Sequence, residues 1–134
     1  FLEKYKLKKD FDFLIVDFHG EITSEKMALG HYFDGLATLV VGTHTHVPTQ
    51  DGRVLKEGTA YLTDAGICGD YNSVMGFNKK IFLKKLLKRE NFEKNFPVED
   101  NISLSGLVVE ADEKNGLATK IYSLIYGGTL KNFY

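Results

Sequence analysis

One cysteine, Cys68, is all that this chain of 134 residues holds, so no disulfide can close within it, and a reducing cytoplasm suits it. An excess of one charge is also missing. Lys and Arg number 17 against 18 Asp and Glu, a net charge of -1, which removes the electrostatic footprint of a protein that binds a nucleic-acid polymer. The lysines gather on helical stretches and read as solvated faces. No apolar run is long enough to span a membrane and no signal-peptide pattern opens the chain, so a cytoplasmic location is expected. Repeats and low-complexity stretches are absent. So is an initiating Met: the chain opens Phe1-Leu2-Glu3-Lys4-Tyr5-Lys6-Leu7-Lys8-Lys9, read as the last turns of an amphipathic helix. A helix end feeding straight into a strand implies a start in the middle of a fold.

What is present is an ordinary globular composition, 43% hydrophobic and 26% charged, enough for one domain or a large piece of one. Phe11 to Phe18 is a near-continuous apolar run, as expected of a strand buried on both faces. Thr23 or Ser24 can cap a following helix, Glu25 suits its first turn, and Gly35 is placed to end it. Leu29, Tyr32, Phe33 and Leu36 recur at helical spacing. Leu39-Val40-Val41 is a second buried strand, and strand-helix-strand order argues for a parallel crossover. Thr59 to Thr63 reads as a short strand, followed by a Gly-rich loop from Asp64 to Gly76; loops this long inside a domain are usually functional. Asn78 caps a helix from Lys79 to about Arg89, with Ile81, Phe82, Leu86 and Leu87 facing in and Lys84, Lys85 and Lys88 facing out. The polar segment Glu90 to Pro97 breaks the pattern. Two long strands, Ile102 to Asp112 and Leu117 to Ile125, flank the turn Asp112-Glu113-Lys114-Asn115-Gly116. The order is α-β-α-β-β-loop-α-β-β, an α/β fold.

Chemistry concentrates at two strand ends. His19 lies in Val16-Asp17-Phe18-His19-Gly20-Glu21, and His44 and His46 lie in Gly42-Thr43-His44-Thr45-His46-Val47. Open α/β sheets present their sites at such ends, and neutral imidazole is a ready metal ligand. In extended chain, residues two apart point to the same side, so His44 and His46 can aim at one ion or at two neighbouring ions. Either histidine motif by itself is weak; three of the four histidines at two adjacent strand ends, with Asp17, Glu21 and Asp64 near in sequence, is stronger. His31, among helix residues, reads as packing or surface. Cys68 has no base beside it and reads as an incidental thiol.

These residues resemble a known group. Val-Asp-Phe-His-Gly-Glu with its Thr-Ser-Glu-Lys helix start, then Val-Gly-Thr-His-Thr-His-Val, is similar to the calcineurin-like metallophosphoesterases, and within them to the YmdB-type bacterial cyclic-nucleotide phosphodiesterases. Gly-Thr-Ala-Tyr-Leu-Thr-Asp-Ala-Gly and the stretch Asp70 to Gly76 extend the likeness, which covers roughly Phe11 to Tyr126. The resemblance implies a four-layer αββα sandwich of two mixed β-sheets flanked by helices. It implies hydrolysis of 2',3'- or 3',5'-cyclic nucleotides, with a metal-bridging hydroxide attacking phosphorus in line. Two ions are implied, iron and manganese foremost, with zinc or magnesium as substitutes. His19 and His44 become ligands of one ion and His46 a ligand of the other, while Glu21 and Asp64 are candidates to orient the imidazoles. A homo-oligomer is also implied.

Members of this group carry, in an N-terminal half, an Asp-containing first motif, a Glu-Asn pair and an Asn-His pair that includes the general-acid His. None of these occurs here, so residues 1–134 are expected to be the C-terminal part of a single domain. Two rivals stand beside this reading. A complete chain would hold one ion on His19, His44 and His46 with an open water position. A non-catalytic fragment would need a partner to cover its apolar sheet faces.

Overall fold

The computed structural model describes residues 1–87, 97 and 100–130. Its elements in chain order are β1 (Ile15–His19), α1 (Thr23–Tyr32), β2 (Leu39–Thr43), β3 (Arg53–Val54), β4 (Ala60–Leu62), β5 (Gly69–Asp70), α2 (Lys79–Leu86), β6 (Ile102–Ala111) and β7 (Ala118–Tyr126). They make an α/β arrangement of two sheets. One has the order β1-β2-β4-β3, the other β5-β6-β7. Strands β1, β2 and β4 run parallel, as the strand-helix-strand order requires, and β6 and β7 form a long antiparallel hairpin.

The central strand β2 is buried over Leu39 to Gly42 because it has a parallel neighbour on each side and a layer on each face. On one face, Val40, Tyr61, Ala37 and Leu55 pack against Leu29 and Phe33 of and beside α1. On the other, Leu39, Val41, Ala60 and Leu62 meet Ala118, Leu107, Val109 and Ile121 of the second sheet. Tyr61, Leu62 and Val40 are essentially fully buried, each burial contributing about 1.5–3 kcal/mol. The helix comes close because Gly30 faces the Tyr61 ring: a Cβ there would stand 2.4 Å from Tyr61 Cδ2. Thr38 ties the sheets together, donating from Oγ1 to the Gly116 carbonyl at 2.6 Å.

Several expectations give way. The opening residues are turns, not the end of a helix. Lys4 and Tyr5 N–H both donate to Phe1 O, and the rings of Phe1, Tyr5 and Phe11 gather within 5.2–5.9 Å. Lys8 at φ +62 and the Asp10 carboxylate, which accepts the Lys6 N–H, compete with helical bonding there. Strand β1 is shorter than the apolar run and is not buried on both faces. It is the edge of its sheet, and Ile15, Asp17 and His19 are exposed while Val16 and Phe18 are half-buried. Helix α1 starts after Ile22, with no side-chain cap, so Thr23 and Ser24 lie inside it, and it stops three residues before Gly35. Leu29 and Phe33 face the core, whereas Tyr32 and Leu36 are exposed. Asn78 caps α2 as expected, accepting from Lys80 and Ile81 N–H. Ile81 and Phe82 are half-buried, but Leu86 and Leu87 are exposed. The helix ends at Leu86, with Leu87 its C-cap, short of the expected end near Arg89; Lys88, Arg89 and most of Glu90 to Pro97 lie outside the described residues. The two-residue strands β3 and β5 are additions, too short to leave a periodic signal. Among the described residues no helix is long and apolar enough to cross a membrane.

Candidate functional site

The parallel register places Phe18 beside Gly42 and His19 beside Thr43, so β1 and β2 end side by side. His44 follows directly. His19 Nε2 lies 3.2 Å from His44 Nδ1, and the two rings meet edge to face with centroids 5.0 Å apart. Two ligand nitrogens that each sit ~2.1 Å from one ion, at ~90–110° to each other, stand ~3.0–3.4 Å apart. The observed separation is a hydrogen-bond distance between the two rings and is also one that two neighbouring ligands of a divalent ion would have.

A chain of hydrogen bonds fixes the His19 ring. Thr43 Oγ1 donates to Asp17 Oδ1 at 3.2 Å, and His19 Nδ1 lies 3.1 Å from the same hydroxyl. A carboxylate only accepts, so the Thr43 proton goes to Asp17 and the hydroxyl oxygen accepts from His19 Nδ1–H. That leaves the lone pair of His19 on Nε2, facing His44. Without an ion, His44 Nδ1–H donates to it; holding an ion requires His44 to carry its proton on Nε2.

His46 is fixed in a similar way. Its Nδ1 lies 3.0 Å from Met75 O, an acceptor only, so its lone pair is also on Nε2. It does not touch the other two histidines through a hydrogen bond. Among the described residues, no three or more His, Cys, Asp or Glu side chains are grouped to hold an ion. The alternation of extended chain does not govern this turn, because His44 has φ +131 and His46 φ +65. Such values cost non-glycine residues of order 1–3 kcal/mol and persist only where surroundings hold them.

The holding group is Asp64, just after β4. Its Oδ2 accepts the Thr45 N–H at 2.8 Å and the Lys26 ammonium at 2.9 Å, and its Oδ1 accepts the Gly66 N–H at 2.9 Å. Asp64 is 0% and Lys26 1% exposed. Burial alone would push the Asp64 carboxyl up; the Thr45 N–H, the Lys26 ammonium and the Gly66 N–H outweigh it and hold the carboxyl below the usual range. Asp64 therefore touches neither imidazole, and reaches the histidines through the backbone between them. Lys26 comes from α1 and passes over Gly42, where an added Cβ would lie 2.8 Å from Lys26 Cδ and 1.9 Å from Thr63 O.

Glu21 is exposed and bonds to no histidine among the described residues. His31 is exposed on α1, away from the strand ends. Cys68 is exposed, its Sγ–H directed at Ser105 O at 3.4 Å. The Asp64 to Gly76 loop does border a hollow beside His46: a cavity of about 280 Å³ is lined by His46, Ile67, Cys68, Met75, Phe77 and Ile102 among others. Sequence reasoning had no place for Lys26. The only signal was its position four residues before Gly30, on the helix face that meets the sheet.

Comparison with known proteins gives a consistent picture. The family described as YmdB-like protein matches residues 1–124. The chain is 43% identical over 118 residues to a 2',3'-cyclic-nucleotide 2'-phosphodiesterase of Bacillus subtilis, covering 84% of this chain and 42% of that one. A crystal structure of a hypothetical protein from Thermus thermophilus superposes with a TM-score of 0.81 at 34% identity, over 96% of this chain and 48% of that one. The crystal structure of a novel phosphatase from Mycoplasma pneumoniae also gives 0.81, at 37% identity, over 90% of this chain and 43% of that one. The chain thus spans less than half the length of each of these relatives.

Proposed function

This chain belongs to the YmdB-like family, and from that premise we propose that its strand-end histidines form one side of a dinuclear metallophosphodiesterase centre. In this reading His19 and His44 hold one ion and His46 the other. The observation that carries it is the 3.2 Å approach of His19 Nε2 to His44 Nδ1, with the Asp17–Thr43 chain leaving the His19 lone pair free on that side. Iron and manganese are the expected ions, with zinc or magnesium as substitutes; when bound they supply Lewis-acid polarisation of phosphoryl oxygens and a nucleophile at neutral pH. The chain's own part is to present three imidazoles, those of His19 and His46 with their tautomers fixed by Thr43 and Met75 O. The Asp64 to Gly76 loop borders the substrate mouth. Cyclic nucleotides are the proposed substrates, since the Bacillus relative is named for 2',3'-cyclic ones.

We also propose that residues 1–134 are the C-terminal part of a single αββα domain. The bridging carboxylate, the other ligands and the general-acid His would come from the N-terminal part. Two surfaces support this. Among the described residues strand β1 has an unpaired edge, with Ile15 64% exposed, and the outer face of β6 and β7 carries exposed Leu104, Tyr122 and Tyr126. Long apolar edges and faces of this kind are normally covered.

The test is hydrolysis of 2',3'- and 3',5'-cyclic nucleotides by the protein at its natural length, with metal content measured alongside. Two ions per protein and metal-dependent turnover are expected. One ion with turnover favours a mononuclear site, and metal-loaded protein without phosphodiesterase activity would sink the assignment.

A further inference from the structure

Resting on that reading, we propose that Lys26 is a positioning residue of the centre: from helix α1 it locks the Asp64 carboxylate onto the Thr45 N–H and thereby fixes the turn that aims His44 and His46. A lysine at 1% exposure and an aspartate at 0% are unusual in themselves, because each charge loses its water. Stability alone does not call for such a pair. Apolar residues of similar volume often serve a core equally well or better.

The pair has a third member that an apolar core could not serve. Asp64 Oδ2 is shared between Lys26 Nζ at 2.9 Å and Thr45 N at 2.8 Å, and Thr45 is the residue between the two histidines. On either side of it the backbone sits at φ +131 and φ +65, a shape that histidine does not adopt readily. The neighbouring Thr45 hydroxyl lies 3.3 Å from Val47 N and Val47 O and also bonds toward the Asp64 carboxylate, so that carboxylate ties Thr45 to the core through both backbone and side chain. Lys26 spans the layers beneath the end of β2, and Gly42 leaves the space for its chain. The helix and the turn therefore meet at one carboxylate oxygen. Removing that link frees the turn to relax, and the histidines with it.

The experiment uses the protein at its natural length, stripped of metal, with Mn²⁺ as the probe. Affinity is read by calorimetry, fold stability by urea titration and the Thr45 amide by hydrogen exchange. The double variant Lys26→Met/Asp64→Leu puts an apolar pair of similar size in place of the charged one, but it leaves the Thr45 and Gly66 N–H groups without their acceptor. Its expected signature is a cooperative urea transition at a lower midpoint, because buried N–H donors lose their acceptor, exchange at Thr45 faster than that drop alone accounts for, and Mn²⁺ binding weakened on the order of 10- to 100-fold. Lys26→Gln puts a shorter, neutral donor in place of the ammonium and is read against wild type, so it carries the test if the double variant does not fold: Mn²⁺ binding weakened several-fold is expected, and unchanged affinity would overturn the positioning role. Wild-type affinity and Thr45 protection in the double variant would overturn the positioning role while leaving the metal reading intact. Wild-type protein that takes up no Mn²⁺ would overturn the metal reading, and this role with it.

Discussion

Replacing Gly42 with Ala puts the packing of the site under the most direct strain. Gly42 is buried on β2, beside Phe18 in register and two residues before His44. A methyl group there would sit 1.9 Å from Thr63 O, 2.8 Å from Thr63 C and 2.8 Å from Lys26 Cδ. Comfortable carbon–oxygen contact needs ~3.3 Å, so the strands must part by more than an ångström at this point. The obstacle is backbone, and it is pinned: Thr63 N–H and Oγ1 donate to the Asp51 carboxylate at 3.2 and 2.6 Å. Parting the strands also threatens the Ala65 N–H to Gly42 O bond, 3.0 Å long. Overpacking at a rigid site costs about 3 kcal/mol and the lost bond about 1 kcal/mol. With a urea dependence of about 1–3 kcal/mol per molar, these costs together should lower the midpoint by roughly 1.3–4 M. Gly106→Ala is the control, because a Cβ there meets nothing within 4 Å; its midpoint should hold or rise slightly. Equal midpoints for Gly42→Ala and wild type would refute the claim that β2, β4 and Lys26 are packed to contact here.

Two further outcomes follow from the same contacts. Thr43→Val removes the hydroxyl between Asp17 and His19 and should weaken Mn²⁺ binding on the order of 10- to 100-fold, with little change in urea midpoint because the group is at the surface; unchanged affinity would mean the hydroxyl does not orient His19. Acid should destabilise the fold through Asp64 and Asp51, whose carboxyls are held low: against the upward push of burial, Asp64 is held by the Thr45 N–H and Lys26, and Asp51 by the hydroxyls of Thr63 and Thr49. A lowered native value means the contribution is complete above the ordinary Asp value of ~3.9 and is lost as pH falls below it through the native values. Urea midpoints should therefore drop from pH 5 to pH 3, less steeply in Lys26→Met/Asp64→Leu than in wild type; parallel slopes would count against Asp64.

The parts of this molecule that are readable in sequence are those with a local cause. Leu39-Val40-Val41 is a strand because a central parallel strand is apolar on both faces, and His44 follows it whatever the rest of the chain does. Asn78 caps α2 because its side chain answers N–H groups two and three residues on. The parts that are not readable depend on partners far away in sequence. Phe11 to Phe18 has the pattern of a doubly buried strand, yet β1 has a sheet neighbour on one side only. Lys26 has the pattern of a solvated face, yet its partner lies 38 residues away. The turn at His44 and His46 has positive φ angles that no histidine announces, since they are imposed by Asp64 through Thr45. Periodicity therefore locates the histidines, while their orientation comes from register and from buried polar contacts.

The dinuclear phosphodiesterase assignment stands or falls on Mn²⁺ titration of metal-free protein at its natural length, with hydrolysis of bis(p-nitrophenyl) phosphate followed in the same samples, for wild type and His44→Ala. Binding should be saturable and activity should rise with it in wild type; in His44→Ala the ion shared by His19 and His44 should be lost, and activity with it, with the fold intact by circular dichroism. Full metal binding and full phosphodiesterase activity in His44→Ala would contradict the assignment.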